Sequence, residues 1–131
     1  MIKINKEIID DLCKKAERST RKREVLLIHK EMADPIHRFI NAMQPETYCQ
    51  PHKHENPDKR EMFIILKGRI LVVEFNDKGI ITDKTILDKE SGPLISEIAP
   101  RIWHTVICLE RNSAVLEIKD GPWKKENDKN F

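Results

Sequence analysis

The segment Cys49-Gln-Pro51-His52-Lys53-His54-Glu55-Asn56-Pro57-Asp58-Lys59-Arg60-Glu61 runs straight into the apolar stretch Met62-Phe-Ile-Ile-Leu66. Side chains alternate across an extended chain, so His52 and His54 point to the same side. Glu61 opens a run of β-formers and therefore sets a carboxylate at the mouth of a buried strand. Burying such a group without a partner costs several kcal/mol. Two imidazoles and a carboxylate facing one cavity make half of a metal site, which asks for a ligand from elsewhere. His104, in Pro100-Arg-Ile-Trp103-His104-Thr-Val-Ile-Cys108, is the best candidate. By parity, Glu61, Phe63 and Ile65 share one strand face, as do His104, Val106 and Cys108. The rival reading makes His52 and His54 solvent residues of a loop, and it leaves the strand-borne Glu61 and His104 unexplained.

Around this centre the chain reads as mainly β with one leading helix. Asn5 is a helix cap, Ile4 and Ile9 suit a hydrophobic staple, and Ile8, Ile9, Leu12, Cys13 and Ala16 recur at helical spacing. A helix is expected over about residues 5–18. From there the period is two: 24–29, 36–43, 62–66, 69–76, 80–87, 94–98, 103–110 and 114–119 are expected strands. The stretch 36–43 suits helix or strand by propensity. Strand is chosen because a turn at Pro45 and an extended 48–54 segment follow. Lys67-Gly68 predicts a hairpin, and Asn76-Asp-Lys-Gly79 another turn. Many short strands at regular spacing fit a small closed sandwich or barrel. The expected organisation is a helix and loop over 1–20, a β-barrel over 21–123 and a polar tail over 124–131. In and beside that tail only Trp123 and Phe131 suit packing.

At 131 residues the chain holds one compact core. Charged residues make up 35%, yet the net charge is only +2, which argues against a dedicated nucleic-acid surface. The basic cluster Lys14, Lys15, Arg18, Arg21, Lys22 and Arg23 reads as a helix end and a solvated turn. No secretory signal or membrane-length apolar run is visible. Cys13, Cys49 and Cys108 are an odd set without a CxxC pair, as expected for reduced thiols in a cytoplasmic protein.

The order His52-x-His54, Glu61 and Gly68, followed by Pro100 and His104, resembles the two motifs of the cupins. Arg38-Phe-Ile-Asn41-Ala, Pro45-x-x-Tyr48, Pro51-His-x-His54, Asp58-Lys59-x-Glu61, Trp103-His104-Thr105 and Glu117-x-Lys-x-Gly-Pro122 resemble, more closely, the WbuC family. That is a group of cupin-fold metalloproteins met in bacterial O-antigen polysaccharide clusters. The likeness runs from about Ser19 to Phe131. It implies a cupin-type jelly-roll β-barrel with metal ligands His52, His54, Glu61 and His104. Cupins with a helix and strand ahead of the barrel often pair through them, which implies a homodimer. The chain departs from the general cupin pattern in a longer His54-to-Glu61 loop, in Arg101 at a usual glycine and in Cys108 at a usual asparagine.

Three imidazoles and a carboxylate leave open positions on an octahedral ion, which suits iron, manganese, nickel or zinc. One expectation is an enzyme, such as an isomerase, epimerase or iron oxygenase, acting on a small polar molecule such as a sugar or nucleotide-sugar, with the metal as Lewis acid. Tyr48 and Lys59 are then candidates for general acid/base work and Arg38 for holding an anion. Their plain alternatives are a strand aromatic, a loop cation and a surface ion-pair partner. The other expectation is a non-catalytic sugar-binding or regulatory module. His29 and His37, each alone on its strand, read as structural, and Trp103 as outer packing.

Overall fold

The computed structural model describes all residues, Met1–Phe131. Helix α1 (Lys6–Arg18) is capped as expected: Asn5 Oδ1 accepts the Ile8 N–H at 3.0 Å. Lys15 and Arg18 lie in its last turn, where the exposed carbonyls favour positive charge. Eight strands follow: β1 (Arg23–Leu27), β2 (Ile36–Met43), β3 (Glu61–Lys67), β4 (Arg69–Phe75), β5 (Ile81–Asp88), β6 (Ile95–Ile98), β7 (Trp103–Cys108) and β8 (Ser113–Asp120). All pairings are antiparallel.

Two sheets form a jelly-roll sandwich rather than a closed barrel. One has the order β1-β2-β8-β3-β6 and the other β5-β4-β7. The Lys67-Gly68 turn is therefore not a hairpin. β3 pairs with β6 and β8, whereas β4 pairs with β5 and β7. Gly68, at φ +74°, carries the chain from one sheet to the other, and Ser113 packs against it too closely to leave space for a Cβ. The true hairpin is β4–β5, closed by Asn76, whose Oδ1 accepts the Lys78 and Ile80 N–H groups.

Strand parity divides the interior. On β2, Ile40 and Ala42 face α1 and pack with Leu12, Cys13, Ala16 and Ala114. Asn41 and Met43, on the other parity, face into the sandwich. On β3 and β8 the inward pairs are Ile65 with Val115, Phe63 with Glu117 and Glu61 with Lys119. The first pair joins the apolar core with Ile70, Leu87 and Cys108. The last pair is charged. One end of the sandwich is thus an apolar floor and the other a buried polar mouth.

The C-terminal residues differ from the expectation of a tail that packs only through aromatics. Trp123 and Phe131 are exposed, whereas Asp128 is buried. A short 3-10 turn (Lys125–Asn127) precedes it, and Lys53 and Asn130 exchange main-chain hydrogen bonds. The tail is tied down by polar contacts, which composition alone does not reveal. Cys13, Cys49 and Cys108 are all free thiols. No helix is long and apolar enough to cross a membrane.

Candidate metal centre

His52, His54, Glu61 and His104 are all buried, and one ligand atom from each lies within 4.8 Å of the others. They arrive from three places: one extended segment carries His52 and His54, and two strands carry Glu61 and His104. Glu61 begins β3 and His104 is the second residue of β7. The His52 segment is docked on β7 by reciprocal bonds, His52 N–H to the His104 carbonyl and His104 N–H to the His52 carbonyl. The Arg101 N–H, donated to the His54 carbonyl, fixes the next turn. Arg101 itself adopts φ +70°, the left-handed conformation that a glycine takes without strain. Its guanidinium reaches Asp58 at 2.8 Å.

All three imidazoles are oriented in the same way. Nδ1 of His52 meets the Gln50 carbonyl at 2.8 Å, Nδ1 of His104 meets that of Ile102 at 2.9 Å, and Nδ1 of His54 meets that of Asp128. A carbonyl oxygen only accepts, so each Nδ1 carries the proton and each Nε2 keeps its lone pair. Nε2 of His54 and of His104 both lie 3.0 Å from Oε2 of Glu61. Acceptors held face to face at that distance need a proton or a cation between them. This is the arrangement a divalent metal with nitrogen and oxygen ligands requires, including the hydrogen bonds behind each histidine. The residues present fit such an ion.

The electrostatics agree. Burial pushes the His52 imidazole down to about 3, so it is neutral. Burial alone would raise the Glu61 carboxyl. A positive charge in the gap to His104 and His54, whether a proton on Nε2 or a metal ion, and the field of Lys119 outweigh it and hold the group well below the usual carboxylate range. Glu117 is pushed up to about 8, first by burial and then by the charge on Glu61. Asp128 accepts from both Lys119 (3.0 Å) and Lys59 (3.4 Å), whose charges outweigh burial and lower it.

His52, Glu61, His104, Glu117, Lys119 and Asp128 line a cavity of about 300 Å³, together with Asn41, Phe63, Cys49 and Val106 and the charged Arg21, Arg23, Glu24 and Lys129. Asn41 Nδ2 donates to Glu117 at 3.5 Å, while its buried Oδ1 has no partner. A larger groove of about 620 Å³ between α1 and the β3–β4 turn gathers no comparable cluster, and its charges Lys67–Asp10 and Arg69–Asp88 pair with each other.

The other expected site residues lie elsewhere. Tyr48 is 75% exposed and does not line the cavity. Arg38 forms a surface ion pair with Asp34 at 2.8 Å. Lys59 is buried but reaches the cavity only through Asp128. His29 and His37 stack on each other at 4.1 Å, away from the cluster. Sequence reasoning missed Asp128, and it used Asn41, Glu117 and Lys119 only as parts of family motifs. The one signal for Glu117 and Lys119 was their shared parity on β8.

A jelly roll with His-x-His, a strand-opening glutamate and a later strand histidine over one cavity defines a cupin-fold protein. Among solved structures similar to the chain is a cupin 2 domain-containing protein from Halorhodospira halophila, at 19% identity and TM-score 0.55, covering 83% of this chain and 66% of that one. Another is Cellulomonas parahominis L-ribose isomerase, at 13% identity and TM-score 0.65, with coverages of 83% and 69%. A third is the capsular polysaccharide assembling protein CapF from Staphylococcus aureus, at 13% identity and TM-score 0.64. The match there covers 82% of this chain but only 31% of that protein. A search of curated proteins finds no match. The family described as Domain of unknown function (DUF6016) matches residues 4–87, and the chain belongs to it. That match includes His52, His54 and Glu61 and ends before His104.

Proposed function

We propose that this chain is a metal-dependent cupin of WbuC type acting on a sugar or nucleotide-sugar in bacterial surface polysaccharide (O-antigen) synthesis. The observation that carries the metal reading is the common orientation of three imidazoles, each held through Nδ1 to a carbonyl, with Nε2 of His54 and of His104 on one oxygen of Glu61. The carbohydrate reading draws support from the names of two fold relatives, an isomerase of L-ribose and a capsular polysaccharide assembling protein.

His52, His54, Glu61 and His104 would hold the ion, which supplies a Lewis acid for a carbonyl or hydroxyl oxygen. The chain's own groups do the rest. Asn41 Oδ1 accepts from a substrate hydroxyl, and Glu117 offers a carboxyl beside it. Phe63 and Val106 close the apolar side of the cavity. We further propose that the protein works in the cytoplasm as a homodimer.

The test is elemental analysis of protein purified without added metal, followed by a sugar screen by thermal shift. Near-stoichiometric iron, manganese, nickel or zinc, lost in Glu61→Ala, is the expected result. Metal-free protein that also ignores added ions would refute the proposal. Turnover of a bound sugar marks an enzyme, and binding without turnover marks a carbohydrate-binding or regulatory module.

A further inference from the structure

Three basic side chains at the cavity, Arg21, Arg23 and Lys129, form no ion pair or side-chain hydrogen bond within the fold. The ion pairs formed there, Lys59–Asp128 and Lys119–Asp128, do not involve them. Arg21 precedes β1, Arg23 opens it opposite Met43, and Lys129 comes from the C-terminal tail. Register puts Arg23 on the inward parity with Val25, opposite Met43 and Asn41. Glu24 also borders the cavity, but it pairs with Ala42 and so takes the parity that faces α1. The lining as a whole is balanced, four basic groups (Arg21, Arg23, Lys119, Lys129) against four carboxylates (Glu24, Glu61, Glu117, Asp128), but Lys119 is paired with Asp128 while Arg21, Arg23 and Lys129 form no ion pair. Beside these cations, Asn41 is 92% buried by its 8% exposure, and its Oδ1 lacks a donor. A buried acceptor of this kind calls for a hydroxyl.

We propose that the cavity takes an anionic, hydroxyl-bearing small molecule, a sugar acid or a sugar phosphate, with its anion on Arg21, Arg23 and Lys129 and a hydroxyl on Asn41. The inference rests on the carbohydrate reading above and narrows it to charged sugars. Arginine forks match carboxylate and phosphate oxygens in pairs, which gives orientation as well as attraction. Placing the cations at the rim and the metal ligands deeper fixes which end of the ligand enters first.

Isothermal titration of the full chain with D-glucuronate, D-glucose 6-phosphate and D-glucose tests this, with and without Ni2+. At least one charged sugar should bind roughly tenfold or more tighter than glucose, with the advantage shrinking as salt is added. The sugar that does so identifies carboxylate or phosphate as the recognised group. Arg21→Gln combined with Arg23→Gln should abolish that advantage. Lys129→Gln, on a different segment, should reduce it independently of any folding defect. Glucose binding as tightly as both charged sugars, no binding by any of the three, or unchanged charged-sugar affinity in these variants would overturn the proposal. Absence of bound nickel with retained charge selectivity would sink the metal reading and leave this one standing.

Discussion

The imidazole of His54 donates its Nδ1 proton to the main-chain oxygen of Asp128, so the last residues of the chain set the orientation of a candidate metal ligand. The side chain of the same Asp128 lies between the ammonium groups of Lys59 and Lys119. One residue thus joins the tail, the loop before β3 and strand β8 to the candidate metal cluster.

Replacing Asp128 by Ala leaves two ammonium groups in the interior without their carboxylate, since Lys59 is 1% and Lys119 6% exposed. Breaking such a buried arrangement costs about 3–5 kcal/mol, read as a lower urea midpoint. Metal affinity should fall about 10- to 100-fold as the support behind His54 loosens. An unchanged midpoint would show that the two lysines find other partners.

Glu61→Gln keeps the shape of the side chain and removes its charge. With one oxygen shared by His54 and His104, metal content after dialysis should drop to background. His104→Ala should do the same. Tyr48→Phe, on an exposed side chain outside the cavity, should leave metal content unaltered.

The Glu117 carboxyl holds its proton to about 8 in the folded protein, against 4.5 ordinarily. Between those values the folded state binds more protons than the unfolded state, so this group makes metal-free protein less stable as pH rises through the window. Below it both states are protonated and the effect vanishes. Glu117→Gln should flatten the decline in melting temperature between about pH 5 and about pH 8. Parallel profiles for the two proteins would contradict the assignment.

Gly68→Ala combines two penalties. Alanine at φ +74° is strained by roughly 1–2 kcal/mol, and its Cβ would meet the Ser113 backbone at 2.8 Å. Ser113 cannot give way easily, because its Oγ bonds Arg69 N and the Glu110 carbonyl. A loss of about 2 kcal/mol or more is expected in urea unfolding. Gly79→Ala, at a similar φ but in open space, should cost less.

Much of the site was legible because each ligand carries local information. His52 and His54 are two apart on an extended segment, Glu61 opens a strand, and His104 sits at strand parity with Val106 and Cys108. The roles given to Tyr48 and Arg38 had no such support, since neither alternation nor turn chemistry says which of two sheet faces or edges a loop-proximal residue will meet. Arg21 and Arg23 read as part of a solvated basic turn, and only the fold brings them to the cavity.

Local sequence determined the helix with its Asn5 cap, the strands, the Asn76–Gly79 turn and the types of side chain able to hold a metal. These depend on propensity, periodicity and short-range hydrogen bonds, which neighbouring residues specify. Tertiary structure decided that Gly68 crosses between sheets, that Glu117 and Lys119 on β8 face the ligands, and that Asp128 closes around them. Those contacts join segments far apart in the chain, and their geometry arises only when the two sheets pack and the tail is drawn in by buried charge.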